Sequence, residues 1–215
     1  MLTLHYFPGN ASLIPHVLLE ELGVPFELAL VDRANQAHKA SAYLALNPNG
    51  LIPVLVEQRA EGDLVLYETA AICLYLLDRH PERGLAPAHG TTARAHFDKW
   101  LIWLTNTLQA ALIVYFYPER WADDSAAVAQ VKAHAEAKIG AMLDQLDSQL
   151  AGQPWLIGEA ISAVDLYAFV LCRWTRGMAR PARSLPRLGP WLQRLLARPA
   201  VQRAFAREGL APPLV

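Results

Sequence analysis

Residues 47–56, which read Asn-Pro-Asn-Gly-Leu-Ile-Pro-Val-Leu-Val, constrain the fold of this chain more than any other stretch. The first four residues combine a fixed φ with two positions that tolerate positive φ, so they predict a turn before a strand near Ile52. Pro53 is unusual there, because a proline is accepted only at a strand start, an edge or a bulge. Two readings stay open at this point. Pro53 is a trans residue at a strand start, or a cis Ile52-Pro53 bond leaves the Ile52 backbone free to pair with an extended peptide.

The apolar pattern of the N-terminal part predicts alternating strands and helices. Leu2 to Tyr6 alternates as a strand does, and Ser12 is expected to cap a helix that ends at Gly23. Further strands are expected at 26–31, near 52 and at 64–67, with helices at 36–46 and from 69 to about 80. The order βαβαββα begins with a parallel crossover and ends with an antiparallel hairpin, so we expect one mixed four-stranded sheet.

The rest of the chain is predicted to be helical. Helices are expected at 92–117, 123–150, 163–178, 188–197 and 199–207. The third begins with Ser162-Ala163-Val164-Asp165, a capping box that gives Asp165 a structural role. We therefore predict an α/β domain at 1–82, a Pro- and Gly-rich linker at 83–91, and an all-helical domain at 92–215.

Charge and composition limit the classes of function. The net charge of -1 argues against general binding to nucleic acid or membrane surfaces. The segment from Arg173 to Arg207 carries nine arginines and no acid, which indicates either an anion-attracting surface or ordinary solvated helix faces. Residues 100–118 are uncharged, but polar side chains interrupt them, so we interpret them as a buried helix and not as a membrane span.

The cysteines and the N-terminus predict a cytoplasmic protein. Cys73 and Cys172 lie far apart, without metal-ligand spacing, and are expected to be buried apolar residues. The N-terminal residues show neither a basic region nor an apolar stretch of the secretory type. We therefore expect no metal site and a reducing compartment.

Three loops are expected at corresponding places on the sheet, where ligands of open α/β folds gather: 7–12, 49–53 and 67–69. The first places Asn10 and Ser12 at a helix N-terminus, which favours an anion. The third places Glu68 and Thr69 at another helix start, where they could hold an ammonium and a carboxylate. The middle loop offers only main-chain N–H and C=O groups to a ligand. Together the loops predict an extended, peptide-like ligand with an amino acid head at one end and an anionic group at the other.

Four segments in this order resemble the cytosolic glutathione transferases, and the nearest likeness is to bacterial enzymes of the beta type. They are Tyr-Phe-Pro-Gly-Asn-Ala-Ser-Leu at 6–13, Asn-Pro-Asn-Gly-Leu-Ile-Pro-Val at 47–54, Glu-Thr-Ala-Ala-Ile at 68–72, and Ile-Ser-Ala-Val-Asp at 161–165. The resemblance covers nearly the whole chain. It implies a thioredoxin-like N-terminal domain, an α-helical C-terminal domain, a homodimer, and glutathione as co-substrate.

The resemblance also implies how glutathione is held. The Ile52 backbone, before a cis Pro53, pairs with the cysteinyl part, and Glu68 and Thr69 hold the γ-glutamyl end. Either His38 or Lys39 is expected to reach the glycyl carboxylate, although this segment matches the family poorly.

Two positions depart from the beta type. That type has a cysteine where this chain has Ala11 and a histidine where it has Gln109. A mixed-disulfide mechanism through that cysteine is therefore excluded. The thiolate must be stabilised by Ser12, Asn10 or Tyr6, and Tyr6 ranks last because its ring is expected to be buried at the strand end.

The second substrate is expected to be a small, apolar electrophile that binds between the domains. Candidates for its wall are Tyr115, Trp174 and Met178, with Phe116, Tyr117 and Trp121 nearby. The leading prediction is a transferase that conjugates glutathione to such electrophiles. Two alternatives stay open: a glutathione-dependent isomerase, dehalogenase or peroxide/disulfide reductase, and a non-catalytic binding or interaction protein of the same fold.

Overall fold

The structure, a computed structural model, describes residues 1–215 and divides into two compact units. One unit comprises residues 1–84 with 197–212, and the other comprises 85–196 with 213–215. The first contains every strand of the sheet, and the second is helical. The predicted combination of an α/β part and an all-α part is therefore confirmed.

The four strands form the expected mixed sheet. They are β1 Leu2–Tyr6, β2 Phe26–Leu30, β3 Val54–Glu57 and β4 Leu64–Tyr67, in the order β2-β1-β3-β4. β1 runs parallel to β2, whereas β3 is antiparallel to both β1 and β4. β3 begins two residues later than expected, because the ladder starts only after the imino acid at Pro53, which has no N–H to donate.

Three α-helices follow strands in the first unit: α1 Leu13–Leu22, α2 Ser41–Leu44 and α3 Thr69–Arg79. α1 ends at Gly23, whose φ of 68° gives the left-handed cap that the sequence predicts. The predicted helix at 36–46 is wrong in its extent. Gln36 is left-handed and Ala40 is extended, so a 3-10 turn at Ala37–Lys39 precedes a single turn of α2.

The second unit contains α4 Thr92–Trp103, a π-helical segment Leu104–Gln109, α5 Ala110–Phe116, α6 Ser125–Gln149, α7 Ala163–Trp174 and α8 Leu188–Leu196. None of the helices combines the length and hydropathy that a membrane crossing requires. α7 ends four residues before its predicted end. The Thr175 hydroxyl donates to the Cys172 carbonyl (2.7 Å) and accepts from the Ala182 N–H (2.9 Å), which turns the chain.

The capping box at the start of α7 is confirmed. The Asp165 carboxylate accepts the N–H and the hydroxyl of Ser162, both at 2.9 Å, and the N–H of Leu156 at 2.9 Å. Asp165 is fully buried, and burial raises the pKa of its carboxyl group. Asp165 therefore has the structural role that the sequence indicates.

The C-terminal helix α9, Pro199–Arg207, belongs to the first unit, whereas the sequence-based division places it with the helical part. Glu20 on α1 pairs with Arg203 at 2.7 Å and with Arg207 at 2.8 Å, and Glu21 pairs with Arg198. Five of the nine arginines between 173 and 207 pair with acids: Arg180, Arg187, Arg198, Arg203 and Arg207. These five charges bind acids of the same chain, and Arg180, Arg187 and Arg203 are about half exposed, which agrees with solvated faces more than with a surface left free to attract anions.

Candidate active site

The register of the sheet brings four loops to one edge. The end of β1 lies beside the end of β2, because Tyr6 pairs with Leu30. The start of β3 lies beside both the end of β1 and the end of β4, since Val54 pairs with His5 and with Tyr67. The three predicted loops therefore lie together, and the 31–40 loop after β2 joins them.

The middle loop is shaped by one buried side chain. Asn47 is 2% exposed, and its amide oxygen accepts the Asn49 N–H at 3.0 Å. Its amide nitrogen donates to the Leu51 carbonyl at 2.9 Å, which also accepts the Tyr43 hydroxyl at 2.8 Å. Internal hydrogen bonds therefore fix the turn that precedes Ile52, so a ligand does not have to order it.

The Ile52-Pro53 peptide bond is cis, as the resemblance implies. The side chain of Ile52 packs against the cluster formed by Val31, Tyr43 and Val54. Neither the N–H nor the C=O of Ile52 makes a hydrogen bond within the chain. This backbone can therefore pair with an extended peptide.

His38 and Lys39 lie against this turn. Gly50 has φ +60°, and a Cβ there would meet the His38 carbonyl oxygen at 2.9 Å and the Lys39 Nζ at 3.1 Å. Only glycine accepts both this φ and this approach. Burial lowers the pKa of the His38 imidazole, and the charges of Arg33 and Lys39 lower it further. Of the two residues, Lys39 is therefore the one that offers a charge to an anion at neutral pH.

The third loop holds a strained residue. Glu68 has φ 73° and ψ 112°, a conformation that L-residues avoid, and such a residue costs about 1–3 kcal/mol. Its carbonyl accepts the Ile72 N–H at 3.0 Å, so the unusual backbone begins α3. The Glu68 side chain is exposed and makes no ion pair, and Thr69 is buried as the first residue of the helix. Backbone strain at a residue whose carboxylate is unpaired indicates a functional site.

Ser12 does not cap α1, so that prediction is wrong. Its backbone is already helical (φ -59°, ψ -22°), and its side chain accepts no N–H of the helix. The buried hydroxyl instead donates to the Phe7 carbonyl at 3.1 Å and accepts the Phe7 N–H at 3.2 Å. Both functions of the hydroxyl are therefore used to close the first loop.

Asn10 keeps a free donor in the same loop. Its amide oxygen accepts the Ala11 N–H at 2.6 Å, while its amide nitrogen has no partner in the chain. The ring of Tyr6 packs edge-to-face on His16 of α1, with 6.4 Å between centroids. Of the three predicted thiolate partners, Asn10 is therefore the one whose donor is both free and located at the start of α1.

A residue that sequence reasoning missed also holds this loop. Glu208 accepts the Gly9 N–H at 2.7 Å through one carboxylate oxygen and contacts His16 Nδ1 at 2.7 Å through the other. The side chains of Glu208 and His16 are completely buried. Glu208 follows α9, so no local signal in the sequence relates it to a loop near residue 9.

The predicted electrophile residues lie in the helical unit. The ring of Phe116 is 5.2 Å from Tyr115 and 6.4 Å from Trp174, so these residues form one aromatic cluster. Burial raises the pKa of Tyr115, and the charge of Glu136 raises it further. Met178 lines a groove of about 600 Å³ along α6.

Gln109, the position at which the resemblance implies a histidine in the beta type, has a structural partner in this chain. The Tyr167 hydroxyl donates to its amide oxygen at 2.7 Å. Tyr167 is 1% exposed, so this bond satisfies a buried hydroxyl.

A four-stranded thioredoxin-like sheet with free backbone before a cis proline can pair with an extended peptide, and comparison with known proteins identifies the family. The family model for the glutathione S-transferase N-terminal domain matches residues 11–79, and that for the C-terminal domain matches residues 125–199. Glutathione S-transferase GST-4.5 of Xanthomonas campestris is 32% identical, over 94% of this chain and 97% of its own length. The chain belongs to the glutathione S-transferase family.

Solved structures agree with this assignment. A glutathione transferase homologue from Sulfitobacter, determined with bound glutathione, is 28% identical with a TM-score of 0.88, covering 98% of this chain and 99% of that one. A bacterial beta class enzyme from Sphingomonas chungbukensis is 31% identical with a TM-score of 0.82, covering 97% and 100%. The resemblance predicted from four motifs, including its likeness to the beta type, is thus confirmed.

Proposed function

We propose that this chain conjugates the thiolate of glutathione to small electrophilic carbon compounds. The observation that carries the proposal is the unpaired backbone of Ile52, which lies at the same sheet edge as the free amide of Asn10 and the strained start of α3 at Glu68. An extended tripeptide thiol satisfies the three groups together.

Each part of glutathione has a partner. The Ile52 N–H and C=O pair with the cysteinyl residue, in the manner of an added strand. The Glu68 carboxylate binds the γ-glutamyl ammonium, and the N–H and hydroxyl of Thr69 bind its carboxylate at the positive end of α3. Lys39 binds the glycyl carboxylate, and His38, with its lowered pKa, serves as a neutral donor or acceptor beside it.

The chemical task is thiolate stabilisation. A thiol with pKa near 8.5 is only a few per cent ionised at neutral pH, and lowering that pKa by about two units requires about 2.7 kcal/mol. The Asn10 amide donates one hydrogen bond to the sulfur, and the first-turn N–H groups of α1 add their dipoles. Ser12 keeps the first loop closed, and Tyr6 is the alternative donor to the thiolate if Asn10 does not act. The thiol proton leaves to solvent, the sulfur forms a C–S bond, and the leaving group departs with the electron pair.

Tyr115, Trp174 and Met178 of the helical unit remain the candidate residues for binding the electrophile. A glutathione-dependent isomerase, dehalogenase or reductase would use the same thiol site, and a panel of electrophiles, disulfides and peroxides separates these activities.

We also infer a homodimer in the cytoplasm. The homodimer rests on the family resemblance, and Leu51 and Ile102, which are 56% and 59% exposed, are available to a partner subunit.

Calorimetric titration with glutathione tests the proposal. The wild-type protein is expected to bind with a dissociation constant below about 1 mM, and Glu68→Gln is expected to weaken binding about tenfold through loss of a charge-assisted hydrogen bond. Glu61→Gln is the matched control, because Glu61 is an exposed acid of the same unit outside the four loops. Absence of binding at millimolar glutathione contradicts the enzyme readings and leaves a non-catalytic protein of this fold.

Sedimentation velocity at micromolar concentration tests the assembly. A single species of about twice the 23.8 kDa chain mass is expected. A single monomer peak contradicts the homodimer but leaves the glutathione site untouched, because the residues proposed to bind glutathione all lie in one unit of one chain.

A further inference from the structure

The 31–40 loop carries two cations that lie against different parts of the candidate site. Lys39 lies over the middle loop, with its Nζ close to Gly50. Arg33 lies over the first loop, with its guanidinium carbon 5.6 Å from the centroid of the Phe7 ring. Because Lys39 already lies where the glycyl carboxylate is expected, Arg33 is available for a different group.

The guanidinium of Arg33 has no acidic partner in the chain. No ion pair or hydrogen bond involves it, and the neighbouring Asp32 carboxylate is occupied by Asn35, which donates its N–H at 3.2 Å and its amide nitrogen at 2.6 Å. The charge of Arg33 contributes to the lowered pKa of His38. An arginine held over an aromatic ring, with all its donors free, is preorganised to bind an anion.

Phe7 connects this cation to the first loop, where the sulfur is proposed to bind. Its backbone N–H and C=O both bind the Ser12 hydroxyl, so Phe7 opens the loop whose Asn10 faces the thiolate. A group joined to the sulfur must extend from this loop. A substituent that extends along the Phe7 ring meets the guanidinium of Arg33.

Resting on the proposed function, we propose that Arg33 is a specificity-determining residue that selects electrophiles bearing an anionic group, such as a carboxylate or a sulfonate. The planar guanidinium binds such a group through two parallel hydrogen bonds, which a neutral electrophile cannot supply. The preferred second substrate is then an aromatic or aliphatic acid with an electrophilic carbon at the other end.

Two product analogues test this inference by calorimetry: S-benzylglutathione and S-(4-carboxybenzyl)glutathione, which differ by one carboxylate. The wild-type protein is expected to bind the carboxylated analogue about tenfold more tightly, the factor that one charge-assisted hydrogen bond supplies. Arg33→Gln is expected to remove this preference while leaving the affinity for S-benzylglutathione unchanged. Arg79→Gln, which removes the same charge at the far end of α3, is the control and is expected to keep the preference.

The possible failures are distinguishable. If the wild-type protein binds neither analogue, the proposed function fails and the inference fails with it. If it binds both equally, or if Arg33→Gln keeps the preference, the inference is overturned and the glutathione site stands. If Arg33→Gln weakens both analogues by the same factor, Arg33 binds glutathione itself, and its role in selecting the electrophile is overturned.

Discussion

Ser12 and Ser162 each precede a buried helix, and they do different things. Ser162 is extended, and its N–H donates to the carboxylate of Asp165, as a capping box requires, while its hydroxyl donates to the same carboxylate. Ser12 is already helical and turns its hydroxyl back to the Phe7 backbone. The start of α7 is therefore stabilised by its own first turn, whereas the start of α1 is held by the loop before it.

A serine before a helix predicts a capping box only where a suitable partner follows it. A capping box needs an acid or amide three residues after the serine, and α7 has Asp165 there, whereas α1 has Pro15. Without that partner, the loop before α1 takes its acid from outside, because Glu208 holds Gly9 from the C-terminal segment. A loop held in this way leaves Asn10 free to act on a ligand.

The largest expected effect is at the start of α7, which is capped by its own first turn. Asp165→Ala removes an acceptor of three hydrogen bonds and leaves buried N–H and hydroxyl groups unpaired, so it is expected to destabilise the protein by about 3 kcal/mol or more. Urea denaturation followed by circular dichroism measures the loss. The matched control is Asp124→Ala, which removes an exposed cap of α6 and should cost only about 1 kcal/mol. Equal losses in the two variants would contradict this account of α7.

The next largest effect is expected at the first loop, residues 7–12, which Glu208 holds from the C-terminal segment. Glu208→Ala leaves the Gly9 N–H and the buried His16 without their acceptor and is expected to cost about 2–3 kcal/mol. Because the contact fixes the first loop, the variant is also expected to weaken glutathione binding, measured by calorimetry. A variant that loses stability but binds glutathione normally shows that Glu208 does not position this loop.

A smaller effect is expected for the serine that does not cap. Ser12→Ala removes the bridge to the Phe7 N–H and C=O and is expected to cost about 1–2 kcal/mol in urea denaturation. Ser12→Thr keeps the hydroxyl but adds a methyl group at a position with no exposure, so it serves as a test of packing. A stability equal to wild type in Ser12→Ala would remove the structural role of this hydroxyl.

The smallest effect has the opposite sign. Glu68→Gly relieves a positive φ and is expected to stabilise the protein by about 1 kcal/mol, while weakening glutathione binding about tenfold through loss of the partner of the γ-glutamyl ammonium. Thermal denaturation and glutathione titration of the same sample measure both changes. If glycine destabilises the protein, the Glu68 side chain supports the fold. The positive φ of Glu68 would then not be explained by function alone.

Most of the fold follows from local signals in the sequence. β4 and α9 have the predicted bounds, because turn residues or prolines mark where they begin and the apolar period changes there. The cis Pro53 could be assigned only through the resemblance, since the turn alone fits both isomers. The helix predicted at 36–46 failed because the left-handed conformation of Gln36 has no signal in its residue type.

Less of the candidate site than of the fold could be predicted from local signals in the sequence. The motifs placed Ile52, Glu68 and Asn10 at one sheet edge, but nothing in the sequence separates Ser12 as a loop bridge from Ser12 as a thiolate partner. The contributions of Glu208 and Arg33 depend on contacts made through the folded chain, from residues far along the sequence or in a loop with weak patterning. The pairing of α9 with α1 was missed for the same reason.

We propose that Asn10 stabilises the thiolate and that Ser12 only holds the loop, and an ultraviolet titration of bound glutathione measures which of the two residues acts on the sulfur. Asn10→Ala is expected to raise the pKa of the bound thiol by about one to two units, which corresponds to one hydrogen bond to an anion. Ser12→Ala is expected to leave that pKa within about half a unit of wild type, at saturating glutathione. A raised pKa in Ser12→Ala together with an unchanged pKa in Asn10→Ala would contradict the account.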